Sequence, residues 1–188
     1  CSSNLRLKSG IADLNSFIAH NVPVALGIDE AGINDDRDML QEMRLALTLH
    51  RSPGHESPSP TAAEILKMAT ENGAATTPFG KNIGRLEPGR MADIVLLDWE
   101  TMTWPYQDPN ILLVEVLIRR ARRAAVHTVI IGGEIIYQQG SFTQVDQALI
   151  LEKINQELAR ADTVEEVALR KLANKIVPVL GRFYKDWY

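Results

Sequence analysis

The fold is decided by Val22-Pro23-Val24-Ala25-Leu26-Gly27-Ile28-Asp29, an apolar run that ends in a carboxylate. Residues 22–28 contain no charged or polar side chain, which is the pattern of a parallel strand buried on both faces. A carboxylate directly after such a strand lies at the face where α/β folds and barrels build their active sites. We therefore predict an α/β fold and take Asp29 as a candidate catalytic or metal-binding residue. The alternative is that Asp29 caps the following loop by accepting bonds from backbone amides.

Helical patterns lie on both sides of this run. Residues 11–20 and 36–51 carry apolar side chains at the spacing of a helix. Thr61 and Glu64 then form the pair of a capping box, which opens a third helix. Asn72-Gly73 is expected to end that helix.

The second half of the chain has the pattern of a sheet. Pro88-Gly89 is typical of a type II turn, because glycine accepts the positive φ of the third position. Residues 91–98 predict a strand, and two β-rich runs, 126–131 and 134–137, flank Gly132-Gly133. Two such runs joined by two glycines predict a hairpin, since a type I′ turn needs positive φ at both central positions.

The tail of the chain predicts two further helices. Residues 145–161 have helical apolar spacing, and Thr163 with Glu166 forms a second capping box. Pro178 is expected to kink or end the last helix. We expect the aromatic end to pack either on a second subunit or on its own subunit; it contains Phe183, Tyr184, Trp187 and Tyr188.

The composition is that of an ordinary globular protein. The chain has 188 residues, of which 45% are hydrophobic and 23% charged, and its formal net charge is -4. This acidic balance argues against a nucleic-acid surface. The one basic cluster contains Arg119, Arg120, Arg122 and Arg123. We interpret it as a solvated helix face, with a phosphate site as the alternative.

Cysteine content and hydropathy indicate a protein without internal disulfides or membrane-spanning helices. Cys1 is the only cysteine, so the chain cannot form an internal disulfide. It has no apolar run of about 18 residues, the length that a membrane-spanning helix needs. We therefore expect a cytoplasmic protein that binds neither nucleic acid nor a membrane. Because the chain begins with Cys-Ser-Ser-Asn instead of Met, we expect it to start within a longer protein.

Several stretches resemble, in order and spacing, the amidohydrolase superfamily of metal-dependent hydrolases. The nearest branch is that of the cyclic deaminases and chlorohydrolases, which includes methylthioadenosine/S-adenosylhomocysteine deaminases, guanine deaminases and triazine hydrolases. The most specific stretch is Ile83-Gly84-Arg85-Leu86-Glu87-Pro88-Gly89-Arg90-Met91-Ala92-Asp93-Ile94-Val95-Leu96-Leu97-Asp98. The resemblance covers roughly residues 1–142, and its other parts are residues 2–10, 22–29, 38–46, 61–66, 69–74 and the hairpin around Gly132-Gly133.

The resemblance implies the C-terminal part of a (β/α)8 barrel of the TIM type, followed by part of a small β-sandwich domain and C-terminal helices. We expect the barrel portion at residues 1–82, the sandwich at 83–142 and the helical tail at 143–188. Since a barrel closes only with eight strands, the expected partner is a missing N-terminal part of the same protein. A homo-oligomer is a further expectation.

The resemblance also implies the chemistry. The family holds one divalent metal, zinc or alternatively iron, with a His-x-His pair, a later His and the Asp after strand eight. Only that Asp has a counterpart here, Asp29, which the family uses to bind the metal and to carry the proton of the attacking water. Family position makes Glu30 and Ile33 substrate-binding residues, although Glu30 is alternatively a solvated loop charge. The implied reaction is hydrolysis of a non-peptide C–N bond, deaminating a purine, pyrimidine or triazine-like ring.

The histidines depart from the family pattern. No His-x-His occurs in the chain, and His20, His50, His55 and His127 are isolated. His50 and His55 flank a loop expected near the barrel mouth, where one of them could contact substrate. Catalytic metal sites use at least three protein ligands, so we expect this portion alone to be inactive. The alternatives are a chlorohydrolase or alkylamine hydrolase on the same fold, or an inactive domain that serves assembly or binding.

Overall fold

The computed structural model describes residues 2–29, 37–51, 53–54 and 59–186. Within these residues, the first half of the chain contains five helices. Asp13 and Asp38 cap the second and third helices by accepting bonds from backbone amides of the first turn. The capping box predicted at Thr61 and Glu64 is confirmed. The helices are α1 (Ser2–Leu7), α2 (Leu14–Ala19), α3 (Met39–Leu49), α4 (Ala62–Ala69) and α5 (Glu71–Ala75).

The prediction that Asn72-Gly73 ends a helix is wrong. Helix α4 already ends at Ala69, with Thr70 as its C-cap, and both residues lie inside α5. The Asn72 side chain is used elsewhere, since its Nδ2 donates to the Val24 carbonyl oxygen at 2.7 Å. A tertiary hydrogen bond has therefore replaced the local capping role that the sequence predicts.

The parallel strand predicted at residues 22–28 is also absent from the described structure. The segment runs along the helices instead, where the Leu26 amide donates to the Met68 carbonyl oxygen at 3.1 Å. Val24 and Leu26 are half-buried and pack against the helical core. A strand needs a second strand as its hydrogen-bonding neighbour. Among the described residues, the backbone of residues 22–28 bonds to α4 and α5 instead.

The helical core is built from the apolar faces of these elements. Helices α2, α3 and α4 meet a later helix, α7 (Leu113–Arg120), around the fully buried Ile65 and Ile118. Burying side chains of this size contributes about 1.5–3 kcal/mol each. The cluster consists of Leu14, Met43, Leu47, Ala62, Ile65, Met68 and Ile118.

The second half contains a four-stranded antiparallel sheet in the order β1-β2-β3-β4. The predicted hairpin is confirmed, because Gly132 and Gly133 have φ of 58° and 88°. The type II turn is confirmed as well: Gly89 has φ of 88°, and the Arg90 amide donates to the Glu87 carbonyl oxygen at 3.2 Å. The strands are β1 (Ile94–Leu97), β2 (Val126–Ile131), β3 (Glu134–Gln138) and β4 (Ser141–Phe142). Helices and sheet together confirm the broad α/β class.

Arg120 organises the loop between the short helix α6 (Trp99–Thr103) and α7. Its guanidinium donates to the carbonyl oxygens of Thr103, Trp104 and Tyr106 at 3.0, 2.7 and 2.7 Å, and to Gln107 Oε1 at 2.7 Å. This arginine of the basic cluster is therefore a structural donor. The interpretation of the whole cluster as a solvated face is wrong for this member.

Residues 145–188 form a separate unit, with residues 1–144 as the other. It contains α8 (Gln147–Ala159) and α9 (Val164–Phe183), and neither helix has a buried residue. The capping box predicted at Thr163 and Glu166 is confirmed. Pro178 lies inside α9 and does not end it, because proline removes one donor, toward the Asn174 carbonyl, while the other residues keep helical geometry.

Every helix within residues 2–29, 37–51, 53–54 and 59–186 is too short or too polar to cross a bilayer.

Candidate active site

Asp29 follows the apolar run of residues 22–28, and its carboxylate accepts a hydrogen bond from a distant serine. Ser3 Oγ donates to Asp29 Oδ2 at 2.8 Å. Ser3 is completely buried in the first turn of α1, whereas Asp29 is exposed. A buried hydroxyl thus anchors one oxygen of an accessible carboxylate.

The backbone of Asp29 has an unusual conformation. Its φ is 59°, in the left-handed region that costs an ordinary L-residue about 1–2 kcal/mol. Aspartate tolerates this region better than most residues do, because its short side chain can bond locally. Strained residues of this kind often lie at functional sites, where the surrounding structure holds them in place.

A cavity of about 450 Å³ lies beside Asp29. Its size is within the range of small-molecule sites, about 300–1,000 Å³. Most of its wall is apolar and comes from α2, α3 and residues 24–27. The polar lining residues include Asn4, Asp29, Glu42 and His50. An apolar cleft with a few polar groups can enclose a flat ring and orient it.

His50, one of the two histidines considered for substrate contact, lines this cavity. It caps the C-terminus of α3, and its backbone carbonyl accepts a bond from Asn15 Nδ2 at 2.9 Å. Burial lowers the pKa of its imidazole below the ordinary 6.5, and the negative charge of Asp13 partly opposes that shift. The ring is therefore neutral at pH 7 and can both donate and accept a hydrogen bond.

Among the described residues, His50 is the histidine that lines the cavity. Glu30, Ile33 and His55 lie outside the described residues. His20 is exposed, with Nδ1 2.8 Å from the Ser16 carbonyl oxygen. His127 lies in β2, with Nδ1 2.8 Å from Thr128 Oγ1.

Asp29 has the chemistry of a metal ligand, since carboxylate oxygens bind zinc at protein sites. Among the described residues, no three His, Cys, Asp or Glu side chains come together in a way that could hold a metal ion. Asp29 therefore fits one position of a metal site, and the described part of the chain leaves that site incomplete.

Two residues of the site were missed by sequence reasoning. Ser3 is separated from Asp29 by 26 positions, so no local spacing could reveal their contact. Glu42 lies in the first turn of α3, where an acidic side chain is ordinarily explained by the helix dipole. Its exposed fraction is only 2%, and it lines the cavity. The only earlier signal for Ser3 was the family-like stretch at residues 2–10.

Comparison with known proteins identifies the relatives of this chain. The model of the amidohydrolase family matches residues 1–136. A 5-methylthioadenosine/S-adenosylhomocysteine deaminase of Acetivibrio thermocellus is 36% identical over 173 residues, which are 91% of this chain and 37% of that protein. This chain thus spans little more than a third of the relative's length.

Solved structures agree with the sequence match. An adenosine deaminase from Xanthomonas campestris with bound zinc has a TM-score of 0.73 and 31% identity, covering 82% of this chain and 34% of that one. A mutant atrazine chlorohydrolase from Arthrobacter aurescens, complexed with zinc and atraton, has a TM-score of 0.69 and 25% identity, covering 82% and 34%. The predicted resemblance is confirmed, and the chain belongs to the amidohydrolase family.

Proposed function

We propose that this chain is part of a metal-dependent hydrolase that deaminates a heterocyclic ring, with Asp29 as its catalytic carboxylate. The observation that carries the proposal is the Asp29 carboxylate itself, accessible beside a largely apolar cavity and anchored through Oδ2 by a buried hydroxyl. Membership of the amidohydrolase family supports the reaction class. The deaminases among its relatives support a purine-like ring as substrate.

The proposed architecture is the C-terminal portion of a (β/α)8 barrel at residues 1–82, part of a β-sandwich at 83–142 and a helical tail at 143–188. The share of the relatives' length that this chain spans supports a larger whole. We propose that the rest of the barrel, from the N-terminal part of the same protein, gives residues 22–28 their strand neighbours. The proposed enzyme is cytoplasmic, on the cysteine argument above, and forms a homo-oligomer through apolar side chains exposed on α8 and α9.

Asp29 has two roles in the proposed reaction. Its carboxylate would hold a divalent metal, zinc or alternatively iron, together with ligands from outside the described residues. Bound there, the metal would lower the pKa of a water molecule toward neutrality. Asp29 accepts the proton of the attacking water and passes it to the leaving amine, so that the ring carbon gains oxygen and ammonia departs.

The residues around Asp29 would hold the substrate. The apolar wall of the cavity excludes water from one side of a ring, and the neutral His50 can donate or accept a hydrogen bond at its edge. Glu30 and Ile33 follow Asp29 directly in the chain and are the other proposed substrate contacts. Their role rests on family position alone.

The proposal is tested with the full-length protein loaded with zinc. Asp29→Asn removes the base and weakens the metal site, so kcat for ammonia release from 5-methylthioadenosine or adenosine should fall on the order of 10²–10⁴-fold. Asp162→Asn is the matched control, because Asp162 forms only an exposed ion pair with Arg170. Full activity and full zinc content in the Asp29→Asn variant would contradict the proposal.

A second candidate function has one observation in its favour, the structural likeness to an atrazine chlorohydrolase. Such an enzyme releases chloride from a chlorinated triazine, whereas a deaminase releases ammonia from an amino-substituted ring. Measuring both products against a panel of purines and triazines separates the two reactions. An absence of either product from the zinc-loaded full-length protein would favour an inactive domain that serves assembly or binding.

A further inference from the structure

We propose that Ser3 is a positioning residue for Asp29, one that fixes the direction of the carboxylate in the metal site. This inference rests on the proposed function. It deepens that function by naming the group on which the metal affinity of the site depends.

The contact is specific and comes from a separate element. Ser3 belongs to α1, and its Oγ lies 2.8 Å from Asp29 Oδ2 across 26 positions of sequence. The serine has no exposed surface, so its hydroxyl cannot exchange this acceptor for bulk water without a rearrangement. Helix α1 thereby holds the donor in place.

Asp29 itself lies in a segment without regular secondary structure. The residue lies outside every helix and strand, its side chain is exposed, and its backbone is left-handed with φ of 59°. A side chain in this setting samples several rotamers unless a tertiary contact selects one. The hydrogen bond from Ser3 is a tertiary contact of this kind.

The physical effect of the hydrogen bond is directional. When Oδ2 accepts the hydrogen bond from the serine hydroxyl, rotation of the carboxylate is restricted. Oδ1 then points in one direction. Serine keeps its proton throughout, so no covalent bond forms or breaks. Hydrogen bonds that orient metal ligands typically account for about 10–100-fold in metal affinity or activity.

A pair of substitutions of equal shape isolates the hydroxyl. In the full-length protein, Ser3→Thr keeps the donor, while Ser3→Val replaces it with a methyl group of similar volume. We expect Ser3→Val to bind zinc about 10–100-fold more weakly than Ser3→Thr in competition with a chelator. Its kcat should fall with zinc occupancy while KM stays close to that of the threonine variant, because substrate contacts are unchanged.

Further variants guard against a folding defect. Ser3→Ala removes only the hydroxyl group and should show the same loss of zinc affinity if the larger valine disturbs folding. Ser9→Ala is the matched control, since Ser9 is exposed on the same segment. Thermal melts of each metal-free variant show whether folding is retained.

The outcomes separate this inference from the proposed function. If the unmodified protein binds no zinc and releases no ammonia, the proposed function itself is wrong. If the protein is active and depends on Asp29, yet the threonine, valine and alanine variants bind zinc equally well, the positioning role of Ser3 is overturned.

Discussion

At the scale of single residues, His50 makes the stability of the fold depend on pH. Burial lowers the pKa of its imidazole in the folded protein below the 6.5 of a free side chain. The unfolded chain therefore takes up a proton at a higher pH than the folded chain does. Above pH 6.5 the neutral His50 leaves the free energy of unfolding at its full value. That free energy decreases as the pH falls through 6.5 toward the lower pKa of the folded state.

His50→Gln removes this proton linkage. We expect the melting temperature of the variant to fall less than that of the unmodified protein between pH 7.5 and pH 5.5, as measured by circular dichroism. His20→Gln is the control, because His20 is an exposed histidine at the equivalent end of α2. Equal acid sensitivity of His50→Gln and the unmodified protein would refute the role of burial.

At the residue scale, a local signal was enough to select a candidate residue, and the catalytic role of Asp29 stays a prediction. Asp29 could be singled out because a carboxylate directly after an apolar run is visible in eight consecutive letters. The serine that binds it was not identified, since α1 and Asp29 meet only in the folded chain. The buried state of Glu42 was hidden for the same reason: its neighbours come from other elements.

At the scale of elements, the capping box of α4 provides a direct stability test. The Thr61 Oγ1 atom accepts from the Glu64 amide at 3.2 Å, and Glu64 Oε2 accepts from the Thr61 amide at 2.8 Å. Thr61→Ala should lower the free energy of unfolding by about 0.5–2 kcal/mol, because the Glu64 amide loses its acceptor. Urea denaturation measures the change.

Thr61→Ser is the matched variant for this helix, since it keeps the hydroxyl and loses only a methyl group. We expect it to remain within about 0.5 kcal/mol of the unmodified protein. If serine and alanine destabilise the protein equally, the capping hydrogen bond does not account for the effect.

Elements with local signals were predicted well. Capping boxes and the Gly132-Gly133 hairpin depend on residues at most a few positions apart, so their chemistry can be read from consecutive letters. The strand at residues 22–28 depends on a neighbour that the chain must supply from elsewhere, and the described structure shows helices against it instead. Pro178 does not end α9, because a long helix tolerates the loss of one backbone donor, and the alternative of a kink stays a prediction.

At the scale of the whole molecule, Gly84 lies where the helical part of the first unit leads into the sheet. Its φ is 86°, and an added Cβ would lie 2.6 Å from the Ala74 Cβ and 3.1 Å from the Thr70 carbonyl oxygen. Gly84→Ala therefore combines a strained backbone with overpacking against α5. Overpacking alone costs about 1–3 kcal/mol.

Gly140→Ala is the matched control for this junction. Gly140 also has a positive φ, 88°, but no described atom lies within 4 Å of the position its Cβ would take. We expect Gly84→Ala to lower the free energy of unfolding by about 1–3 kcal/mol more than Gly140→Ala does, as measured by urea denaturation. Equal losses would mean that backbone strain alone matters at residue 84.

The mixed fold class and the family followed from the sequence, while the arrangement of the site followed only in part. The turn at Pro88-Gly89 and the strand after it are local features, so the sequence alone predicts the change from helices to sheet. The cavity beside Asp29 was not, because its wall combines α2, α3 and residues 24–27. Such a surface exists only after the elements have packed.

The arginine within the α6–α7 loop responds to dissolved ions differently from the arginines at the surface. Added salt screens opposite charges and so weakens exposed pairs such as Arg85 with Glu71, which are 2.6 Å apart. Arg120 instead donates hydrogen bonds to uncharged backbone carbonyl oxygens. We therefore expect a high salt concentration to weaken the exposed ion pairs and to leave the conformation of the loop with Trp104 and Tyr106 largely unchanged.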